Sequence, residues 1–84
     1  MKSYKIPSNL AVSESGFLFS PSTGETFTLN TIGLNIFKML QKEKSPDEII
    51  EHFTREYDVE KFSFERDFTD FINMLKTYNL VEEL

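Results

Sequence analysis

The spacing of apolar residues changes period once along this chain, at Asn30, and a chain patterned that way folds as a small sheet followed by helices. Before Asn30, Leu10 and Val12 flank Ala11, Phe17 and Phe19 flank Leu18, and Phe27 and Leu29 flank Thr28. That alternation predicts three short strands with the flanking residues on one buried face. Ser15-Gly16 turns the first pair and Ser20-Pro21-Ser22-Thr23-Gly24 the second, because proline presets one turn dihedral and glycine accepts positive φ. The strands form an antiparallel meander of two hairpins.

From Asn30 onward the period is helical. Ile32, Ile36, Phe37 and Leu40 make a stripe behind an Asn30 N-cap. Gly33 inside this first helix costs about 1 kcal/mol against alanine, which points to a close packing contact. Ser45-Pro46-Asp47-Glu48 is a capping box with proline at the first helical position, and Ile49, Ile50, Phe53 and Tyr57 continue a second stripe. Phe64, Phe68, Phe71, Ile72 and Leu75 predict a third, longer helix from Ser63 to about Tyr78, ended by a left-handed Asn79 with Leu80 folding back. Tyr57 to Phe62 is the longest stretch without pattern. The expected fold is α+β and winged-helix-like, an N-terminal three-stranded antiparallel sheet followed by three α-helices, with residues 1–84 forming one domain.

Charge and composition narrow the function. Nine Lys and Arg against 14 Asp and Glu give a net charge of -5, which repels phosphate backbones and anionic lipids and favours a basic partner. Cysteine is absent, so neither disulfides nor thiolate chemistry is open to the chain. The opening Met1-Lys2-Ser3-Tyr4-Lys5-Ile6-Pro7 has no apolar signal core and no later run is long enough to span a bilayer, so a soluble, cytoplasmic protein is expected.

No catalytic constellation stands out. Nucleophilic catalysis needs a base, and His52, the single histidine, falls mid-helix among Glu51, Phe53, Thr54 and Arg55, where a half-buried helix residue is the simpler account. One histidine and scattered carboxylates match no metal-binding spacing, and Gly16, Gly24 and Gly33 form no phosphate loop. Glu82 and Glu83 read as a solvated tail, and Asp67 with Asp70 as surface acids. The expectation is a protein that is not an enzyme and needs no cofactor.

Two binding functions remain. A winged-helix arrangement usually reads DNA, yet the third helix offers Glu65, Asp67, Asp70 and Asn73 against only Arg66 and Lys76, the wrong sign for phosphate contacts. The alternative rests on the third strand, Glu25 to Leu29, left at a sheet edge without the lysine, proline or bulge that usually blunts one. An extended peptide can add there as a further strand, and so can a terminal segment such as Tyr4 to Ile6 or a second copy of the chain, giving a monomer or a homodimer.

Gly16-Phe17-Leu18-Phe19, the turn Pro21-Ser22-Thr23-Gly24, and Phe27-Thr28-Leu29-Asn30 with Gly33 and Ile36 closely resemble the start of PqqD-like proteins. Ser45-Pro46-Asp47-Glu48-Ile49-Ile50 resembles that family's second helix, and Asp67, Phe71, Leu75 and Asn79-Leu80-Val81 its third helix and ending. The resemblance runs from about Leu10 onward and rests on the order and spacing of motifs that are individually core and turn residues. Two departures are Lys42-Glu43-Lys44, where the family often has Asp-Gly, and Asn79, where it has glycine.

The resemblance implies a RiPP recognition element, a chaperone for ribosomally made, post-translationally modified peptides. In that family the precursor's leader adds along the third strand, against the third helix, and is presented to a separate modifying enzyme, commonly a radical SAM protein. Carried onto this sequence, the implied peptide-binding residues are Thr26, Phe27, Thr28 and Leu29 on the strand and Asp67, Asp70, Phe71 and Met74 on the helix. Phe27, Leu29 and Phe71 compete with a core role. Thr26 and Thr28 alternate away from that core face.

Overall fold

The computed structural model describes residues 3–84; Met1 and Lys2, at the start of the segment read as lacking a signal core, lie outside the described residues. Strands β2 (Ala11–Val12), β3 (Phe17–Ser20) and β4 (Glu25–Thr28) form an antiparallel sheet in that spatial order. Helices α1 (Thr31–Gln41), α2 (Pro46–Tyr57) and α3 (Lys61–Thr77) follow, and β1 (Tyr4–Lys5) pairs with β5 (Glu82–Glu83) in a small second sheet. The meander and the three helices are those the periodicity predicts.

Local chemistry sets the helix ends. The Gly33 N–H donates to the Asn30 side chain at 2.7 Å, opening α1. In α2 the Glu48 N–H donates to the Ser45 hydroxyl while the Ser45 N–H donates to the Glu48 carboxylate, so the reciprocal capping box is complete. Asn79 is left-handed at φ 58, and Leu80 N–H donates to the Leu75 carbonyl at 2.8 Å, which ends α3 as a Schellman motif. Glu43, in the Lys42-Glu43-Lys44 stretch after α1, adopts φ 60, a left-handed conformation that glycine takes most readily.

The core joins Leu18 and Leu29 of the sheet region to Phe37 and Leu40 of α1, Ile49 and Phe53 of α2, and Phe68, Ile72 and Leu75 of α3. Gly33 is buried, and a Cβ there would lie 3.2 Å from the Phe71 ring, so its missing side chain lets α3 approach α1 closely. Leu80 and Val81 close the core, and Lys76, bonded to Glu83 at 2.6 Å and set over the Tyr4 ring, ties the β1–β5 pair to α3.

Several expectations are corrected. Phe17 and Phe19 face outward, 53% and 43% exposed, while Leu18 between them is fully buried. The run Phe17-Leu18-Phe19 is apolar throughout, so alternation alone does not fix its phase; pairing of Leu18 with Val12 and Phe27 does. Ile32 lies at the surface and Leu34 takes a core place instead, while Tyr57, at the end of α2, is exposed although its ring stacks on Phe53. Helix α3 starts at Lys61, two residues before Ser63, because the Glu60 carboxylate accepts the N–H groups of Phe62 and Ser63. Glu82 and Glu83 are exposed as expected, but they pair with β1 as a strand.

Candidate functional site

Among the described residues no strand pairs with the outer edge of β4. Strand β4 ends the sheet order, and Tyr4 to Ile6, considered as a cover for this edge, instead runs beside the C-terminus as β1. Leu29 N–H donates to the Gly16 carbonyl at 2.8 Å, and the same register sets Phe27 opposite Leu18 and Glu25 opposite Ser20. In an antiparallel pair successive residues turn their backbone groups to opposite sides. Glu25, Phe27 and Leu29 therefore bond toward β3, whereas Thr26 and Thr28 aim N–H and C=O away from it. Both threonines are exposed and sit opposite Phe19 and Phe17.

The C-terminal end of helix α3 reaches β4. The rings of Phe27 and Tyr78 meet at 5.0 Å, bringing β4 to the C-terminal end of α3, while Phe71 rests on Gly33 near the start of α1. Asp67, Phe71, Met74 and Tyr78 recur at helical spacing and share one face, with Asp70 one turn beyond Asp67. Asp67 and Asp70 are exposed, Phe71 and Met74 half-buried, and neither aspartate has an ion pair or hydrogen bond among the described residues. Of the eight residues named from the resemblance, Leu29 is buried in the core, Phe27, Phe71 and Met74 are half-buried and pack against it, and Thr26, Thr28, Asp67 and Asp70 are exposed.

The helices form a feature the periodicity does not announce. Past Asn30, a half-open pocket of about 570 Å³ lies between α1, the end of α2 and α3, lined chiefly by Ile32, Ile36, Phe53, Val59, Phe64 and Phe71, with Asp67 at its rim. The only sign of it in the sequence is apolar side chains at positions that turn out exposed, Ile32 and Val59. A second hollow of about 460 Å³ beside α2 is lined largely by charges, among them Asp47, Glu51, Arg55, Lys61 and Glu65, and by no strand residue. Among the described residues no three His, Cys, Asp or Glu side chains gather to hold a metal, and no helix is long and apolar enough to cross a membrane.

No curated protein matches the chain. Two solved structures do. "Lasso peptide synthetase B1 complexed with the leader peptide" is 26% identical with a TM-score of 0.83 over 94% of this chain and 96% of that one. "TbiB1 in Complex with the TbiA(beta) Leader Peptide" is 32% identical with a TM-score of 0.84 over 93% of this chain and 94% of that one. The family model described as Coenzyme PQQ synthesis protein D (PqqD) matches residues 16–81, and the chain, which carries that family's strands, capping box and helix ending in order, belongs to the PqqD family.

Proposed function

We propose that this protein binds the leader of a ribosomally made precursor peptide as a fourth strand along β4 and presents it to a separate modifying enzyme. The observation that carries the reading is the pair of outward-facing backbone positions, Thr26 and Thr28, on an unblunted edge beside α3. Main-chain bonds to those residues supply affinity, and side chains of Phe27, Asp67, Asp70, Phe71 and Met74 supply selectivity. Family membership supports it, and so do two relatives whose names record bound leader peptides.

In this reading the chain is a chaperone that does no chemistry itself, and residues 1–84 act as one peptide-binding domain in the cytoplasm. The family resemblance favours a radical SAM protein as the modifying enzyme, and the lasso peptide synthetase relative adds synthetase components to the candidates. The test is an NMR titration of labelled protein with synthetic leaders encoded by small reading frames near its gene. Amide shifts on Thr26 to Leu29 and along the Asp67–Met74 face are expected. Silence from every such peptide, with the Thr26 and Thr28 amides already protected in the free protein, would mean the edge is used for self-association.

A further inference from the structure

We infer that the outer face of the sheet, the side turned away from the helices, selects alternate residues of the added peptide. Those that pair with Thr26 and Thr28 carry long apolar side chains, aromatic for preference, which close over the threonines onto the rings of Phe17 and Phe19. The inference rests on strand addition at β4 and names the peptide positions that this addition would favour.

Phe17 and Phe19 stand on that outer face, 53% and 43% exposed, with Leu18 between them buried in the core. Residues directly opposite each other in a sheet share a face. Ala11 and Thr26 therefore flank Phe19, and Thr28 flanks Phe17. On its other side the Phe17 carbonyl accepts the Ser13 N–H at 2.8 Å, so every strand neighbour of the two rings is small. Neither ring stacks on another aromatic among the described residues. Threonine would serve the solvated face of a strand as well as phenylalanine does. Two adjacent exposed rings there point to an occupant that covers them.

The register says where that occupant must come from. Thr26 and Thr28 turn their backbone groups away from β3, so each forms the close kind of antiparallel pair with its phenylalanine, about 4.5 Å between Cα atoms. An antiparallel peptide bonded to them adds about 5.5 Å, which sets its outward residues about 10 Å from Phe17 and Phe19 at the Cα atoms. Aromatic and long side chains span about 7–8 Å between strands, so only a long side chain leaning in from the peptide meets a ring across a threonine. Alanine or serine at those positions leaves both rings wet. A second copy of the chain fares no better: two β4 strands paired antiparallel set threonine against threonine and leave all four rings uncovered.

The test uses the labelled full chain and a leader that shifts Thr26 to Leu29. Nuclear Overhauser contacts from the Phe17 and Phe19 rings to leader side chains are expected, and their absence overturns the inference. Phe17→Thr plus Phe19→Thr is expected to weaken that leader about tenfold while the Thr26 to Leu29 shifts persist at saturation. Serine in place of the contacting leader residues should weaken binding to the wild type about as much, and to the double variant by about twofold at most. Where the double variant melts well below the wild type, the serine leader against the wild type decides alone. Undiminished affinity in these comparisons overturns the inference while strand addition stands. Two results would reassign the face and overturn it as well: leader binding kept with processing by the modifying enzyme lost, or a sedimenting dimer that the double variant dissolves. If no leader touches β4, strand addition fails and this inference with it.

Discussion

Gly16 couples the sheet to the first helix through a conformation other residues resist. Its φ is +95, its carbonyl accepts the Leu29 N–H, and a Cβ there would come within 2.5 Å of the Leu29 carbonyl oxygen. Gly16→Ala therefore combines a left-handed penalty of about 1–2 kcal/mol with a backbone clash, and denaturant melts should register a loss of at least about 2 kcal/mol. The opposite outcome is expected at Thr28, whose N–H points away from β3. Thr28→Pro keeps the ladder to β3 intact, since an edge strand tolerates proline with its nitrogen facing outward, yet removes one donor from the free edge. A melt close to wild type with leader binding abolished is the expected pair of results, and tight binding by the proline variant would exclude pairing through Thr28. Phe27 falls between these two. It is half-buried against Tyr78, so Phe27→Ala should cost about 1.5–3 kcal/mol, below the range for a fully enclosed phenylalanine.

At the level of elements, α2 has the best-defined start. The Ser45 N–H and hydroxyl, bonded to Glu48, hold its carboxyl below the usual value of 4.5, the backbone bond being the larger cause and Lys44 a smaller one. A lowered folded value means the contribution is present above the unfolded pKa and is lost as pH falls through the folded one. Ser45→Ala removes the hydroxyl and keeps the backbone bond, so it should raise the Glu48 midpoint part of the way toward 4.5 in a carboxyl NMR titration and cost about 1 kcal/mol through the lost cap; an unmoved midpoint would assign the lowering to the backbone N–H alone. This start was legible because Ser45-Pro46-Asp47-Glu48 is a local pattern whose partners lie three residues apart, and Asn79-Leu80 was legible for the same reason. The phase of β3 was not, because Phe17, Leu18 and Phe19 are equally apolar and only cross-strand register decides which one is buried. Nor was β5, whose two glutamates have no strand propensity of their own and are held by β1 and Lys76. The open edge was readable from the missing blunting residues of Glu25 to Leu29, whereas the pocket, assembled from three helices, had no local signature.

For the whole molecule, a net charge of -5 and two exposed aspartates on the α3 face separate the two parts of peptide binding. Strand pairing and apolar burial act at contact distance and are little affected by ions. Attraction of a basic peptide acts over roughly a Debye length, about 10 Å at 0.1 M salt and about 3 Å at 1 M. Raising salt between those limits should therefore slow association several-fold while leaving dissociation nearly unchanged, because in the proposed mode dissociation requires breaking strand bonds and apolar contacts. If Asp67 and Asp70 supply the local field, the double variant Asp67→Asn, Asp70→Asn reproduces the slow association at 0.1 M and loses little more at 1 M. Stopped-flow rates for wild type and variant at both salt concentrations decide it. Equal salt sensitivity in the two proteins would assign the attraction to the overall charge of the chain, and insensitivity in both would mean the peptide is held by backbone and apolar contacts alone.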